Sequence, residues 1–167
     1  VYTVSTPDEF IEAIGSDRTI HVSGGTLDLS TARSYGKDTG NEKCAWEEEY
    51  DGYQLVIHDV KNLTITGDGK VATEIATQPR YAQVLYLRSC ENVALSGFTA
   101  GHTPEAGSCV GGVVYLEGCT GVSIRDVGLY GCGVIGVYTQ NCRDVTVANS
   151  DIYECSYQGV NFQDSTG

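Results

Sequence analysis

The 167-residue sequence has no methionine, no run of eighteen apolar residues and no Cys-x-x-Cys pair. Because methionine is missing even at position 1, the chain is expected to begin after processing, of the kind that removes a signal peptide. The lack of a long apolar run excludes a helical membrane span. Basic residues are scarce: ten Lys and Arg stand against twenty-two Asp and Glu, a net charge of -12. That balance argues against nucleic acid, anionic membranes or anionic polysaccharide as non-specific partners. Few lysines beside eleven tyrosines suit an extracellular or cell-surface location. The length fits one domain, and 41% apolar content suffices for a continuous core.

What the sequence does have is an internal repeat. Cys90, Cys119 and Cys142 are spaced 29 and 23 residues apart, and Cys109, Cys132 and Cys155 are spaced 23 apart. Self-similarity at such a period marks a solenoid whose coils bury their apolar sides against each other. Leu55, Leu85, Val114, Val137 and Val160 form one apolar column, and Ile57, Leu87, Leu116, Thr139 and Phe162 a second, two residues on. A spacing of two is the strand period, so both columns are predicted to face inward. A second strand per coil stacks Leu63, Val93, Val122 and Val145, with Ile65, Leu95, Ile124 and Val147 beside them. A third stacks Ala100, Leu129 and Ile152. Helical spacing is missing, so the coils are all-β and equivalent strands pair in parallel.

The segments Lys61-Asn62-Leu63-Thr64-Ile65-Thr66-Gly67, Cys119-Thr120-Gly121-Val122-Ser123-Ile124 and Asn141-Cys142-Arg143-Asp144-Val145-Thr146-Val147 resemble the right-handed parallel β-helix repeats of the pectin-lyase-like superfamily. The resemblance covers roughly residues 55 to 167 and implies a right-handed parallel β-helix. It leaves function open, since fold does not fix activity. It also implies an N-terminal cap. Thr6-Pro7-Asp8-Glu9 reads as a capping box opening a short helix, with Phe10, Ile11 and Ile14 on one face and Gly15 closing it. We therefore expect residues 1–29 to form the cap and first strands, 30–54 an inserted loop, and 55–167 the repeating coils.

Several residues carry the functional expectations. Tyr86, Tyr115 and Tyr138 lie between the inward columns and are predicted to stack on the outer surface. His58, Arg88, Glu117, Gln140 and Gln163 form a second outward column. An aromatic row with polar tips suits a glycan, whose CH face packs on rings while its hydroxyls meet the tips. The plainer reading is that stacked tyrosines only brace neighbouring strands. The coil end offers a second route. Val160 and Phe162 stand in a last coil without a helix over it, and the strand-like Val1, Tyr2 and Val4 segment could add to a neighbour's edge, giving end-to-end fibres. A continuation of the chain would cover the same end.

An enzyme is the alternative, namely a lyase, hydrolase or epimerase acting on a polysaccharide. The polygalacturonase-like Asn-Thr-Asp and Gly-His-Gly patterns and the epimerase-like Asp-Pro-His are missing. A lyase would need a base such as Arg88 beside Glu117, or Arg125 beside Asp126, within a cluster of acids, and neither pair stands in one. His102 and Glu105 would serve as base and acid only if they faced the tyrosine row. The run Glu47-Glu48-Glu49, near Trp46, Tyr50 and Asp51, could hold calcium, although such a run is usually a solvated surface. No cofactor is otherwise expected. Most cysteines read as buried free thiols, with disulfide and metal as lesser readings, and Cys44, placed in a loop, as the best candidate for a reactive or intermolecular thiol. Asn62-Leu63-Thr64 is a glycosylation sequon, relevant only in a eukaryotic secretory setting. We thus expect a non-catalytic extracellular module whose partner is a glycan or a second copy.

Overall fold

The computed structural model describes residues 1–103, 110–131 and 134–167; Glu105, Cys109 and Cys132 lie outside them. The chain opens with β1 (Tyr2–Val4), α1 (Pro7–Ala13), β2 (Arg18–Val22), β3 (Gly25–Asp28), a 3-10 turn (Leu29–Thr31) and β4 (Cys44–Glu49). Regular coils follow: β5 (Gly52–His58), β6 (Lys61–Gly67), β7 (Thr73–Thr77); β8 (Leu85–Arg88), β9 (Glu91–Ser96), β10 (Thr99–His102); β11 (Val114–Glu117), β12 (Thr120–Arg125), β13 (Gly128–Tyr130); β14 (Ile135–Gln140), β15 (Arg143–Ala148), β16 (Asp151–Tyr153); and β17 (Gln158–Gln163).

Each coil gives one strand to each of three sheets. Sheet I runs β1-β2-β6-β9-β12-β15, sheet II β3-β7-β10-β13-β16, and sheet III β4-β5-β8-β11-β14-β17. Among the described residues every strand pairing is parallel except that of β4 with β5. The columns fall in register as the sequence predicts: Leu85, Val114 and Val137 pair in line, as do Val93, Val122 and Val145, and Ala100, Leu129 and Ile152. Their inward side chains, joined by Cys90, Cys119 and Cys142, form one continuous core. The fold is therefore a right-handed parallel β-helix.

The turns explain why the coils stack so regularly. Asp59, Ser89, Gly118, Asn141 and Asp164 close the turns after β5, β8, β11, β14 and β17 with φ of 54°, 53°, 62°, 54° and 48°. Asp17, Asn62, Asn92, Gly121 and Asp144 repeat the left-handed conformation one turn later. A left-handed residue costs most side chains about 1–2 kcal/mol, and Gly, Asn and Asp tolerate it best. The asparagines also bridge coils, since Asn92 Nδ2 donates to Asn62 Oδ1 at 2.8 Å and Asn62 Nδ2 to Asp17 Oδ1 at 2.7 Å. The sequon asparagine thus already uses its amide within the ladder.

The N-terminal end is covered as expected. Thr6 accepts from the Glu9 amide and Glu9 accepts from the Thr6 amide, Pro7 opens α1, and Phe10, Ile11 and Ala13 are buried on the first coil. The helix closes one residue before Gly15, at Ile14. Two expectations change. Residues 30–54 are not simply a loop, because Cys44–Glu49 form β4, antiparallel to β5. The segment around Tyr2 is a strand, but it is not unpaired: β1 takes β2 of its own chain as partner, with Tyr2 beside Ile20 and Val4 beside Val22. Val4 is buried, while Val1 and Tyr2 are exposed and the Arg18 guanidinium lies 5.0 Å from the Tyr2 ring centroid.

Candidate functional site

The outward face of sheet III gathers the tyrosine row. Tyr86 pairs with Tyr115 and Tyr115 with Tyr138, while His58, Arg88, Glu117, Gln140 and Gln163 line up two residues on. The strand period puts both columns on one face. Each phenol donates to the polar residue of the next coil: Tyr86 to Glu117, Tyr115 to Gln140 Oε1 at 2.7 Å, and Tyr138 to Gln163 Oε1 at 2.6 Å. This fixes the orientation of both glutamines. Their carbonyls are held by the tyrosines, and their Nε2 groups have no partner among the described residues.

The rings do not form a flat platform. Tyr115 and Tyr138 stack face to face, with centroids 5.0 Å apart at 9°, and Tyr86 meets Tyr115 edge-on at 4.6 Å and 86°. The facing sides of Tyr115 and Tyr138 are therefore occupied by one another. A sugar meeting this row encounters ring edges, glutamine amides and the Glu117 carboxylate.

Arg88 organises the N-terminal end of the row. Its Nη1 and Nη2 donate to Glu47 at 2.8 and 3.2 Å, Nη2 also donates to the Tyr86 hydroxyl at 3.0 Å, and Nε lies 3.8 Å from Glu117. The guanidinium sits 4.9 Å from the Tyr86 ring centroid. Since β5 separates β8 from β4, the Arg88–Glu47 pair crosses above β5, and the outward-facing Val56 beneath it is only 1% exposed. Hydrogen bonds to Glu47 and Tyr86 push the Arg88 pKa up. Burial, then the bond to Glu117, raises that of Tyr86. Neither group is poised to accept a proton. His58 holds Asp59, with Nδ1 2.8 Å from the carboxylate.

Glu47 is the residue that sequence reasoning missed. In a charge run it reads as solvated surface, yet β4 puts Cys44 and Trp46 toward the core and Glu47 toward Arg88. Alternation through Cys44-Ala45-Trp46-Glu47, followed by Asp51-Gly52, is a hairpin signal. Glu49 accepts from Gln54 Nε2 at 2.8 Å. Asp51 accepts from the Arg80 and Tyr81 amides at 2.6 and 3.1 Å, so it clamps a loop. Among the described residues, no group of three or more His, Cys, Asp and Glu is placed to hold a metal ion.

Other expected residues lie elsewhere. His102 sits on β10 of sheet II, 1% exposed, with Nε2 2.8 Å from the Ala82 carbonyl, so it cannot face the tyrosine row. Arg125 is on sheet I, where Nε donates to Ser123. Cys44 is no loop thiol: it is buried on β4, and burial pushes its pKa up to about 11, so it is not the reactive cysteine. Cys90, Cys119 and Cys142 are buried free thiols, whereas Cys155 is disulfide-bonded. At the C-terminal coil Val160 and Phe162 are 36% and 50% exposed, and Phe162 lines a shallow depression with Val145 and Thr166. Among the described residues no helix is long and apolar enough to cross a membrane.

No protein-family profile matches the sequence, and no curated protein matches it. Among solved structures, a pectate lyase from Paenibacillus sp. 0602 is similar, with a TM-score of 0.56 and 11% identity. The match covers 87% of this chain and 36% of that one, so the chain spans little more than a third of the enzyme's length. The chain is a right-handed parallel β-helix, with the fold found in that pectate lyase.

Proposed function

We propose that the chain is a non-catalytic extracellular surface module that holds a glycan on the outward face of sheet III. One observation carries the reading: the Tyr115–Gln140 and Tyr138–Gln163 bonds fix two amides, one coil apart, with their NH2 groups unpaired. Neighbouring coils lie about 4.8 Å apart, so the amides form a regular pair of donors for successive acceptors on an extended ligand. Because they are held in place beforehand, binding loses little side-chain entropy. Glu117 supplies the acceptor for ligand hydroxyls. The disulfide at Cys155 supports an oxidising, extracellular setting.

The lyase alternative draws on the fold of the pectate lyase and on Arg88 between Glu47 and Glu117. Against it, those carboxylates favour the charged guanidinium, which cannot act as a base. The fibre reading is opposed by α1, which would have to leave the first coil before another copy could stack there.

Titration calorimetry against a panel of oligosaccharides, with a parallel search for turnover, tests the proposal. A panel member should bind without being cleaved, and the double substitution Gln140→Ala with Gln163→Ala should weaken it by about tenfold or more, the loss of two hydrogen bonds. Unsaturated product from any uronan, or affinity indifferent to both substitutions, would overturn it.

A further inference from the structure

The strands of sheet III carry few charges, and those few are unevenly placed. β14 and β17 contain no charged residue. Alternation puts Glu47 and Glu49 of β4 on the outward face, with Arg88 of β8 and Glu117 of β11. His58 of β5 is held to Asp59 at 2.8 Å. Among the described residues, three strand carboxylates therefore share this face with one guanidinium. Arg125 and Arg143 belong to sheet I, on β12 and β15.

That guanidinium is already committed. Its Nη groups make the two bonds to Glu47 and the bond to the Tyr86 hydroxyl, and its Nε is buried without a hydrogen-bond partner. Three of the five N–H groups are bonded and a fourth is out of reach, so little remains for an incoming carboxylate. Glu117 is the opposite case. Its Oε2 accepts from Tyr86, while Oε1 lies 3.8 Å from Arg88 Nε, beyond hydrogen-bond distance, on a side chain 38% exposed. Oε1 therefore keeps its lone pairs for a ligand. Burial, then the charges of Glu47 and Asp51, push the Glu49 pKa up, which marks the β4 side of the face as rich in negative charge.

We propose that Glu117 makes the sheet III face selective for neutral glycans, accepting a ligand hydroxyl at Oε1 and rejecting uronates by its charge. This rests on the glycan reading of that face and adds the class of sugar. Gln140 stands beside Glu117 in register, one coil on, so an acceptor and a donor follow each other at about 4.8 Å. Sugar hydroxyls can meet both, since each donates and accepts. A uronate carboxylate brings only lone pairs to Glu117 and adds a like charge. Tyr86 and Arg88 are positioning residues here, because they hold the carboxylate that makes the choice.

Calorimetry with hexagalacturonate, its carboxyl-reduced form, and the hexasaccharides of cellulose, xylan and mannan reads the preference directly. The reduced form keeps the backbone and linkage of the acid and differs in charge. The tightest neutral chain should bind about tenfold or more tightly than hexagalacturonate, and the gap should shrink in about 1 M salt, where charges are screened. Glu117→Gln keeps an acceptor for Tyr86 and removes the charge, so it should narrow the gap about tenfold by admitting the acid and weakening the neutral chain. Thermal melting identifies any variant that fails to fold. The proposal is overturned if hexagalacturonate binds the parent as tightly as the neutral chains, or if folded Glu117→Gln leaves the gap unchanged. Either result leaves the glycan reading standing so long as Gln140→Ala with Gln163→Ala still weakens binding. Indifference to that pair, or no binding by any chain at about 10 mM, overturns both.

Discussion

Replacing Arg88 by alanine removes the hub of the outward face of sheet III. Its bidentate pair with Glu47 is about one-third exposed on both sides, so after screening it contributes about 1 kcal/mol. The hydrogen bond to the Tyr86 hydroxyl at 3.0 Å adds about 1 kcal/mol. The guanidinium 4.9 Å from the ring centroid adds roughly 0.5–1 kcal/mol. Arg88→Ala should therefore destabilise by about 3 kcal/mol and, at 2–4 °C per kcal/mol for this size, lower the melting temperature by about 6–12 °C. Calorimetry combined with a double-mutant cycle against Glu47→Ala checks the partition. The coupling should be about 1 kcal/mol at low salt and shrink toward zero in about 1 M salt. A loss below about 1 kcal/mol, or zero coupling at low salt, would refute the view that Arg88 fastens β4 over β5.

Thr6→Ala removes the cap of α1 and should cost about 1 kcal/mol, which Thr6→Asp largely restores; urea unfolding of both variants tests this. Burial lowers the pKa of His102 below its ordinary value of 6.5. As pH falls below about 6.5 the unfolded state takes up a proton that the folded state refuses. Stability should therefore decline with acidification until the lower folded pKa is passed, and His102→Gln should flatten that part of the melting-temperature profile; an unchanged slope would contradict the assignment. Cys44, Cys90, Cys119 and Cys142 are buried, so peptide mapping after iodoacetamide treatment should find them unlabelled in native protein and labelled in denaturant. Native labelling at Cys44 would reinstate it as a reactive thiol.

What could be read in the sequence was whatever repeats. Leu85, Val114 and Val137 recur because each coil must put an apolar side chain against the coil before it, and Asn62, Asn92 and Asp144 recur because each turn needs a left-handed residue. The spacing alone therefore set register, sheet membership and the tyrosine row. Glu47 has no counterpart in any coil. It belongs to an antiparallel strand at the edge of sheet III, and no column points to it. The same holds for Lys70, whose ammonium meets a residue 81 positions away.

Ring orientation was illegible for a different reason. Spacing places Tyr115 and Tyr138 in a column, but the choice between rings facing solvent and rings facing each other depends on where the hydroxyls find acceptors. Gln140 and Gln163 lie one coil on and draw each phenol along the axis, so the rings stack. A glutamine or glutamate two residues after the equivalent position of the next coil is the sequence signal for that outcome, and it recurs in Tyr86 with Glu117. Where the acceptor is lacking, a stacked row would lose its axial pull. Replacing Gln163 by valine should therefore loosen the Tyr138 ring, seen as averaged ring signals in NMR, while Tyr115 stays fixed by Gln140. Both rings remaining equally ordered would show that packing alone sets the stack.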